Sequence, residues 1–353
     1  MRTKRGSAIR VGSWPGKHFN DNDFIRIFCD SLQEAGIDVV DVVDPRDLSP
    51  GDIDVLQIHW PEQVYWRDYG RLKTIRALVE TLWAIWRLRR AGVKIAWLVH
   101  NLQPHDAPPA RLRQWRWYTA CIAKLTDALV TLSPATLPIA RQNFPFGSDV
   151  KCIAIRHPRF SAPQSPPTKE KARQLWEMEA GKVNLAFIGS VRPYKGIVQM
   201  AKFIQENGPS TITLTIGGRT DKVCHEELSE TINRGGDIRL FPHRLSDEEF
   251  ESLVIASDFV VLPFQDSLHS SSIVHALSLN RAVLTTRTAY AEEIAKTVGA
   301  DWVRVFDKPL GKEMFQSLAL PASKHPDLSS FAADVNASAL SAFYLSLVSP
   351  ARR

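Results

Sequence analysis

Cysteine is scarce and scattered in this sequence. Cys29, Cys121, Cys152 and Cys224 form no C-x-x-C pair and sit beside no histidine ladder. That spacing excludes a disulfide scaffold and a zinc ribbon, and reads as reduced thiols in a cytosolic protein. No run of about 18 apolar residues occurs, so no membrane-spanning helix is expected. The opening stretch MRTKRGSAIRVGSWPG starts basic but has no apolar core, so no secretory signal is expected either. No repeat at a 20–50-residue period is present, which excludes a solenoid. With 44% apolar and 23% charged residues the chain is neither disordered nor fibrous. Its 353 residues are too many for one ordinary core and imply two domains.

Short apolar runs alternate with helix-like segments almost throughout. In the first half the strand candidates are residues 8–11, 37–43, 55–60, 93–99, 128–132 and 150–155. A long helix from about 68 to 91 ends at Gly92, a natural C-cap. In the second half the strand candidates are 183–188, 211–216, 238–241, 259–262 and 282–285, and a final amphipathic helix covers about 329–348. Alternation of this kind predicts an α/β fold of two doubly wound Rossmann-like domains facing a cleft. The Pro/Ser-rich SAPQSPP at 161–167 marks the boundary. The expected division is 1–160, a linker at 161–181, a second domain at 182–328 and a C-terminal helix at 329–353.

Charge is unevenly placed. Residues 1–158 hold 22 Lys and Arg against 16 Asp and Glu, whereas residues 159–353 hold 22 of each. Residues 66–127 hold 12 basic and 4 acidic residues, and there Trp83, Trp86, Trp115 and Trp117 interleave with Arg87, Arg89, Arg90, Arg111, Arg113 and Arg116. Tryptophan and arginine mixed on amphipathic helices suit an anionic membrane surface or nucleic acid. A plain solvated face with the tryptophans turned inward is the competing reading.

Sites in open α/β sheets lie beyond the carboxyl ends of strands, so the loops after strands carry the chemistry. GSVRPYKG, residues 189–196, places Arg192 and Lys195 on a glycine-bounded turn between a strand and a helix. Unpaired N–H groups, the helix dipole and two cations together make an anion site. FPHRLSDEEF puts His243 after a strand, and Ser246 with Glu249 makes a capping box. LPFQDSLHSSSIVHALSLNRAVLTT places Ser271 and Ser272 at a helix start and His275 a turn further on.

The second half resembles the donor-binding half of GT-B glycosyltransferases, especially glycosyltransferase family 4 and related bacterial exopolysaccharide transferases. FIGSVRPYKGI looks like their phosphate-binding turn, and ASDFVVLPF with SSSIVHALSLNRAVLTT like the segment that holds the donor's sugar and ribose. In the first half LQIHWPE and WLVHNLQPHD resemble acceptor-side motifs of some of these enzymes. The resemblance runs from about residue 8 to 300. One departure stands out: the two glutamates usual in the last motif fall here on Ser267 and His275. That leaves the donor sugar and the stereochemistry open.

The resemblance implies a hexosyltransferase. It would use a UDP- or GDP-linked sugar and a sugar of a lipid-linked or polysaccharide precursor as acceptor. Arg192, Lys195, His243, Ser271, Ser272 and His275 would bind the donor, and Asn20, Asn22, Trp60 and Asn101 the acceptor. His100 and Glu62 would be catalytic, one such group taking the acceptor proton. No metal or other cofactor is expected. Asp52-Ile53-Asp54 precedes its strand, and Asp21-Asn22-Asp23 looks like a helix cap. The protein is expected in the cytoplasm, peripheral on the inner face of the cell membrane, with no nucleic-acid partner. The rival readings are a nucleotide-sugar epimerase of the same fold, which needs no acceptor surface, and a nucleic-acid-binding α/β protein.

Overall fold

The computed structural model describes residues 8–19, 23–66, 71–104, 109–264, 267–308, 310–316 and 318–349. The chain divides into two units, Met1–Pro158 with Ser330–Arg353, and Arg159–Ser329.

The first unit runs β1 (Arg10–Trp14), α1 (Asp23–Glu34), β2 (Asp38–Asp41), β3 (Val55–Ile58), α2 (Gln63–Trp66), α3 (Arg71–Arg90), β4 (Lys94–Leu98), α4 (Pro109–Leu125), β5 (Ala128–Thr131), α5 (Leu137–Asn143) and β6 (Lys151–Ala154). The strands form one parallel sheet in the order β2-β1-β3-β4-β5-β6. β3 and β5 are buried along their whole length, as expected of parallel strands covered on both faces. α1 turns Phe24, Ile25, Phe28, Cys29 and Leu32 into the core. The helix expected at 68–91 is α3, with the short α2 before it, and residues 67–70 lie outside the described residues.

The second unit runs α6 (Lys169–Leu175), β7 (Val183–Ile188), α7 (Ile197–Asn207), β8 (Ile212–Gly217), α8 (Lys222–Asn233), β9 (Ile238–Phe241), α9 (Asp247–Ala256), β10 (Phe259–Leu262), α10 (Ser271–Ser278), β11 (Ala282–Thr286), α11 (Ala289–Val298), β12 (Val303–Phe306) and α12 (Glu313–Gln316). Its parallel sheet has the order β12-β11-β10-β7-β8-β9. The edge strand β12 was not expected from the sequence. It is a four-residue VRVF segment, only partly buried over three of its residues, and too short to show a period.

The last helix, α13 (Ala333–Val348), belongs to the first unit. It packs against α1, and the buried Tyr344 hydroxyl donates to Gln57 Oε1 in the middle of β3. Asn336 Oδ1 accepts the Arg156 backbone N–H at 2.7 Å.

Each sheet reverses its winding once, between β1 and β3 in the first unit and between β7 and β10 in the second. The connections diverge there, which opens a crevice at the carboxyl ends of those strands.

The stretch expected to be linker, 161–181, contains α6, which is tied to the second unit. Thr168 caps it, and Trp176 Nε1 donates to Ser252 Oγ at 3.2 Å. The hub is Asp258, 8% exposed, which accepts from Lys169 Nζ at 2.7 Å, Arg173 Nη2 at 2.8 Å and the Asn184 N–H at 2.9 Å. Burial raises the Asp258 pKa, but these donors outweigh it and hold the carboxyl below its ordinary value. Its stabilisation is therefore present near neutrality and lost as pH falls through the lowered value. Asp258→Asn is expected to destabilise the protein by about 3 kcal/mol at pH 7 in urea unfolding. The gap from wild type should narrow in acid.

Candidate donor and acceptor sites

In the second unit the chain leaves β7 through Gly189, whose φ is +92°. The next loop presses against it: a Cβ on Gly218 would lie 2.1 Å from the Gly189 carbonyl oxygen. The Gly189 N–H donates to the Gly217 carbonyl at 3.0 Å and the Val191 N–H to the Arg219 carbonyl at 2.8 Å. Pro193–Lys195 then form a 3-10 turn, and Gly196, at φ +68°, starts α7 at Ile197 as the sequence predicts. The turn carries Lys195 back over the sheet. Its Nζ stands 6.0 Å from the Phe187 ring centroid and 5.8 Å from that of Phe264. Phe187 is in β7 and Phe264 just follows β10, so the ammonium sits at the β7/β10 crevice. Arg192 shares the turn, half-buried, and makes no ion pair among the described residues.

α10 follows β10, so its first turn lies at the same edge. Ser270 occupies the cap position, with its Oγ buried and without a hydrogen-bond partner among the described residues. Ser271 and Ser272 follow, both partly exposed. His275 lies between two phenyl rings, with centroids 4.1 Å from Phe160 and 4.6 Å from Phe250. The faces of its ring are covered, which leaves its edge for hydrogen bonding. Phe250 belongs to α9, whose capping box of Ser246 and Glu249 is the one the spacing predicts. His243 Nε2 lies 3.1 Å from Glu249 Oε1 at the exposed start of that helix.

In the first unit the residues after β3 and β4 meet because the two strands are neighbours. Trp60 stacks on His100, with centroids 4.3 Å apart and planes 25° from parallel. His59 Nδ1 lies 3.3 Å from His100 Nε2, and Phe24 presents its edge to His100 at 5.0 Å. Burial lowers the His59 pKa to about 3, so this imidazole stays neutral. Asn101 Nδ2 donates to Glu62 Oε1 at 3.2 Å. Burial raises the Glu62 carboxyl to about 7, against the opposing pull of its own backbone hydrogen bond and of Asn101. Trp60, Glu62, His100 and Asn101 thus form one cluster. Asn20, Asn22, His105 and Asp106 lie outside the described residues.

Sequence reasoning passed over His18 and Asp41, which pair at the carboxyl ends of β1 and β2. The available signal was a histidine in the first post-strand loop and an aspartate ending the next strand. The Asp-x-Asp pairs serve local structure. Asp52 Oδ2 accepts the Ser49 N–H and Asp54 Oδ2 the Arg10 N–H, both at the amino end of the sheet. Asp23 pairs with Arg26 on its own helix, and Asp21 lies outside the described residues.

The tryptophans do not share one environment. Trp115 is buried, its Nε1 donating to the Leu102 carbonyl at 3.3 Å, whereas Trp83, Trp86 and Trp117 are exposed. Trp115 follows the reading in which the tryptophans turn inward, and the other three do not.

No protein-family model matches the chain. It is 26% identical over 322 residues to GDP-mannose:glycolipid 4-beta-D-mannosyltransferase of Xanthomonas campestris pv. campestris, covering 88% of this chain and 84% of that protein. Its fold matches Anabaena HepE, solved in complex with UDP and glucose, with a TM-score of 0.60, 14% identity and 97% of each chain covered. It also matches WaaG, a glycosyltransferase involved in lipopolysaccharide biosynthesis, with a TM-score of 0.58, 15% identity, and 96% and 95% of the two chains covered. The fold is that of the GT-B glycosyltransferases, as the motifs implied. The similarity to a mannosyltransferase supports the hexosyltransferase class.

The raised Glu62 carboxyl has a measurable consequence. A folded-state pKa above the unfolded one gives stability that is complete below the unfolded value and lost as pH rises through the folded one. Between pH 4.5 and 7, wild type is expected to lose about 3 kcal/mol relative to Glu62→Gln, which does not titrate. Denaturant unfolding of both proteins at pH 4.5, 6 and 8 checks this.

Proposed function

We propose that this glycosyltransferase transfers mannose from GDP-mannose to a sugar of a glycolipid at a membrane surface, without a metal ion. The observation that carries the reading is the cation of Lys195 at the β7/β10 crevice, beside the first turn of α10. A diphosphate placed there meets Lys195, Arg192 and two helix starts, which supply the positive charge that a metal otherwise provides. The mannosyltransferase relative supports GDP-mannose as donor and a glycolipid as acceptor. Its name specifies a β product, and GDP-mannose carries mannose in α linkage, so the same transfer here inverts the anomeric carbon. Inversion fits a chain with Ser267 and His275 where retaining relatives of family 4 usually carry two glutamates.

In this reading Ser271, Ser272 and the edge of His275 hold the sugar and ribose, and the loop at His243 the base. His100 and Glu62 are the catalytic pair that touches the reacting sugars. The stacked face of Trp60 and the amide of Asn101 orient the acceptor. Mannose appearing on an extracted bacterial glycolipid, with GDP-mannose as donor and EDTA present, is the expected result. Consumption of the donor without any acceptor would instead indicate an epimerase. Arg192→Ala and Lys195→Ala are each expected to weaken GDP binding by about 1.5–3 kcal/mol in calorimetry, as for charge-assisted hydrogen bonds.

The face of α3 supports the membrane-surface reading. Leu72, Ile75, Val79, Trp83 and Trp86 are all exposed, and their spacing puts them on one helix face. Thr74, Ala77, Leu78, Thr81, Ala84, Ile85 and Leu88 occupy the opposite, buried face. Arg90 lies over Trp86 at 5.9 Å. Arg87 donates to the Leu48 carbonyl and Arg89 pairs with Asp127 at 2.9 Å, so these two are held by the protein itself. An apolar stripe edged by cations is the pattern of a helix lying in a lipid interface. Val79→Asp with Trp83→Ser and Trp86→Ser is expected to weaken co-sedimentation with anionic vesicles at least tenfold. Changing Arg87, Arg89, Arg90, Arg111, Arg113 and Arg116 to Gln should mainly remove its salt sensitivity.

A further inference from the structure

The loop between β1 and α1 carries a histidine–carboxylate pair with no task in the reading above. His18 Nδ1 lies 2.6 Å from Asp41 Oδ1, and the His18 backbone N–H donates to Asp41 Oδ2 at 3.1 Å. A carboxylate at Nδ1 fixes the ring proton on that nitrogen and leaves Nε2 as the lone-pair nitrogen. Nε2 makes no hydrogen bond among the described residues, and the side chain is 33% exposed.

The surrounding backbone is shaped to this pair. A Cβ on Gly16 would lie 1.9 Å from Asp41 Oδ1 and 2.9 Å from the Asp41 Cα. Only glycine admits the carboxylate there. Lys17 anchors the other side of the loop on α1, through Asp30 and through Gln33 at 2.6 Å. An exposed ion pair adds little to stability, so stability alone does not explain a loop built around one.

The position is also that of a site. His18 lies in the loop after β1, a strand that borders the crevice, and reaches to Asp41 at the end of β2, on the other side of β1 from β3. Phe19 packs on Trp60 with centroids 5.7 Å apart, and Trp60 in turn stacks on His100. The loop that carries His18 therefore reaches the acceptor cluster through the next residue, Phe19.

We propose that His18 is the general base of the transfer and that Asp41 is its positioning residue. This rests on the mannosyl-transfer reading. The acceptor hydroxyl gives its proton to His18 Nε2 as its oxygen bonds to the mannose anomeric carbon. The bond from that carbon to the diphosphate oxygen breaks, and its electron pair leaves on GDP. Asp41 stabilises the imidazolium, which then returns the proton to water. Glu62 is less suited to this step, because at 4% exposure it has no comparable route for a proton to solvent.

The test compares wild type with His18→Ala, Asp41→Asn and Gly16→Ala in kcat, donor KM, GDP affinity and melting temperature. His18→Ala is expected to lower kcat 100-fold or more, with donor KM and GDP affinity within threefold of wild type. Added imidazole should restore kcat at least tenfold, which a merely structural defect would not allow. Asp41→Asn should lose 10- to 100-fold in kcat. Gly16→Ala keeps both groups but displaces the carboxylate, and should match Asp41→Asn. A kcat within fivefold of wild type in His18→Ala overturns the proposal, and so does failure of imidazole rescue with GDP affinity intact. Should His18→Ala fail to fold, full kcat in both Asp41→Asn and Gly16→Ala overturns it. If wild type transfers a sugar from another nucleotide but none from GDP-mannose, the mannosyl reading fails, and the same variants decide the role of His18 with that donor.

Discussion

In both units every strand runs in the same direction, and the rest of the molecule depends on that constraint. Parallel strands need a crossover after each one, so every turn with an exposed backbone edge falls at one end or the other of the sheet. The carboxyl ends collect His18, Asp41, Trp60, Glu62 and His100 in one unit and Arg192, Lys195 and Ser271 in the other. Residues far apart in sequence, such as Asp41 and His100, need no special long-range contact to reach the same edge of the sheet. The sheet order alone brings their strands to the same carboxyl edge, with β1 and β3 between them.

The architecture was legible because it is written in hydrophobic runs. Strands buried on both faces read as unbroken apolar segments, and β7, β9 and β10 start and stop where the sequence suggests. Turn chemistry was legible for the same reason, since Gly196 and Ser246 act through their own local geometry. What escaped was whatever depends on partners distant in the chain. α6 looked like linker because its anchor, Asp258, lies 85 residues from Arg173. Trp115 looked like its neighbours Trp83 and Trp117, because inward and outward faces of a tryptophan-rich helix differ only through packing. The His18–Asp41 pair needs both a sheet register and a glycine of the right clearance, and neither has a sequence signature.

The acceptor-side unit also separates its ionisable groups by environment. His59 is held neutral by burial, Glu62 sits near neutrality through burial offset by Asn101, and His18 faces solvent beside a carboxylate. The carboxyl end of one sheet therefore presents a fixed neutral imidazole, a carboxyl able to donate or accept, and a partly exposed imidazole held by a carboxylate. That division of labour arises from depth, not from residue type, because two of the three groups are histidines.

The return of α13 to the first unit bears on the order in which the protein is made. The first unit is assembled from both ends of the chain, and Tyr344 reaches Gln57 in its central strands across 287 residues. Until the ribosome has synthesised the last helix, α1 and that part of the sheet lack their cover. The second unit is continuous, so its residues are all available before the first unit can close. Nascent first unit must therefore wait with an apolar face open while an entire domain is translated, which makes it the part most in need of a chaperone.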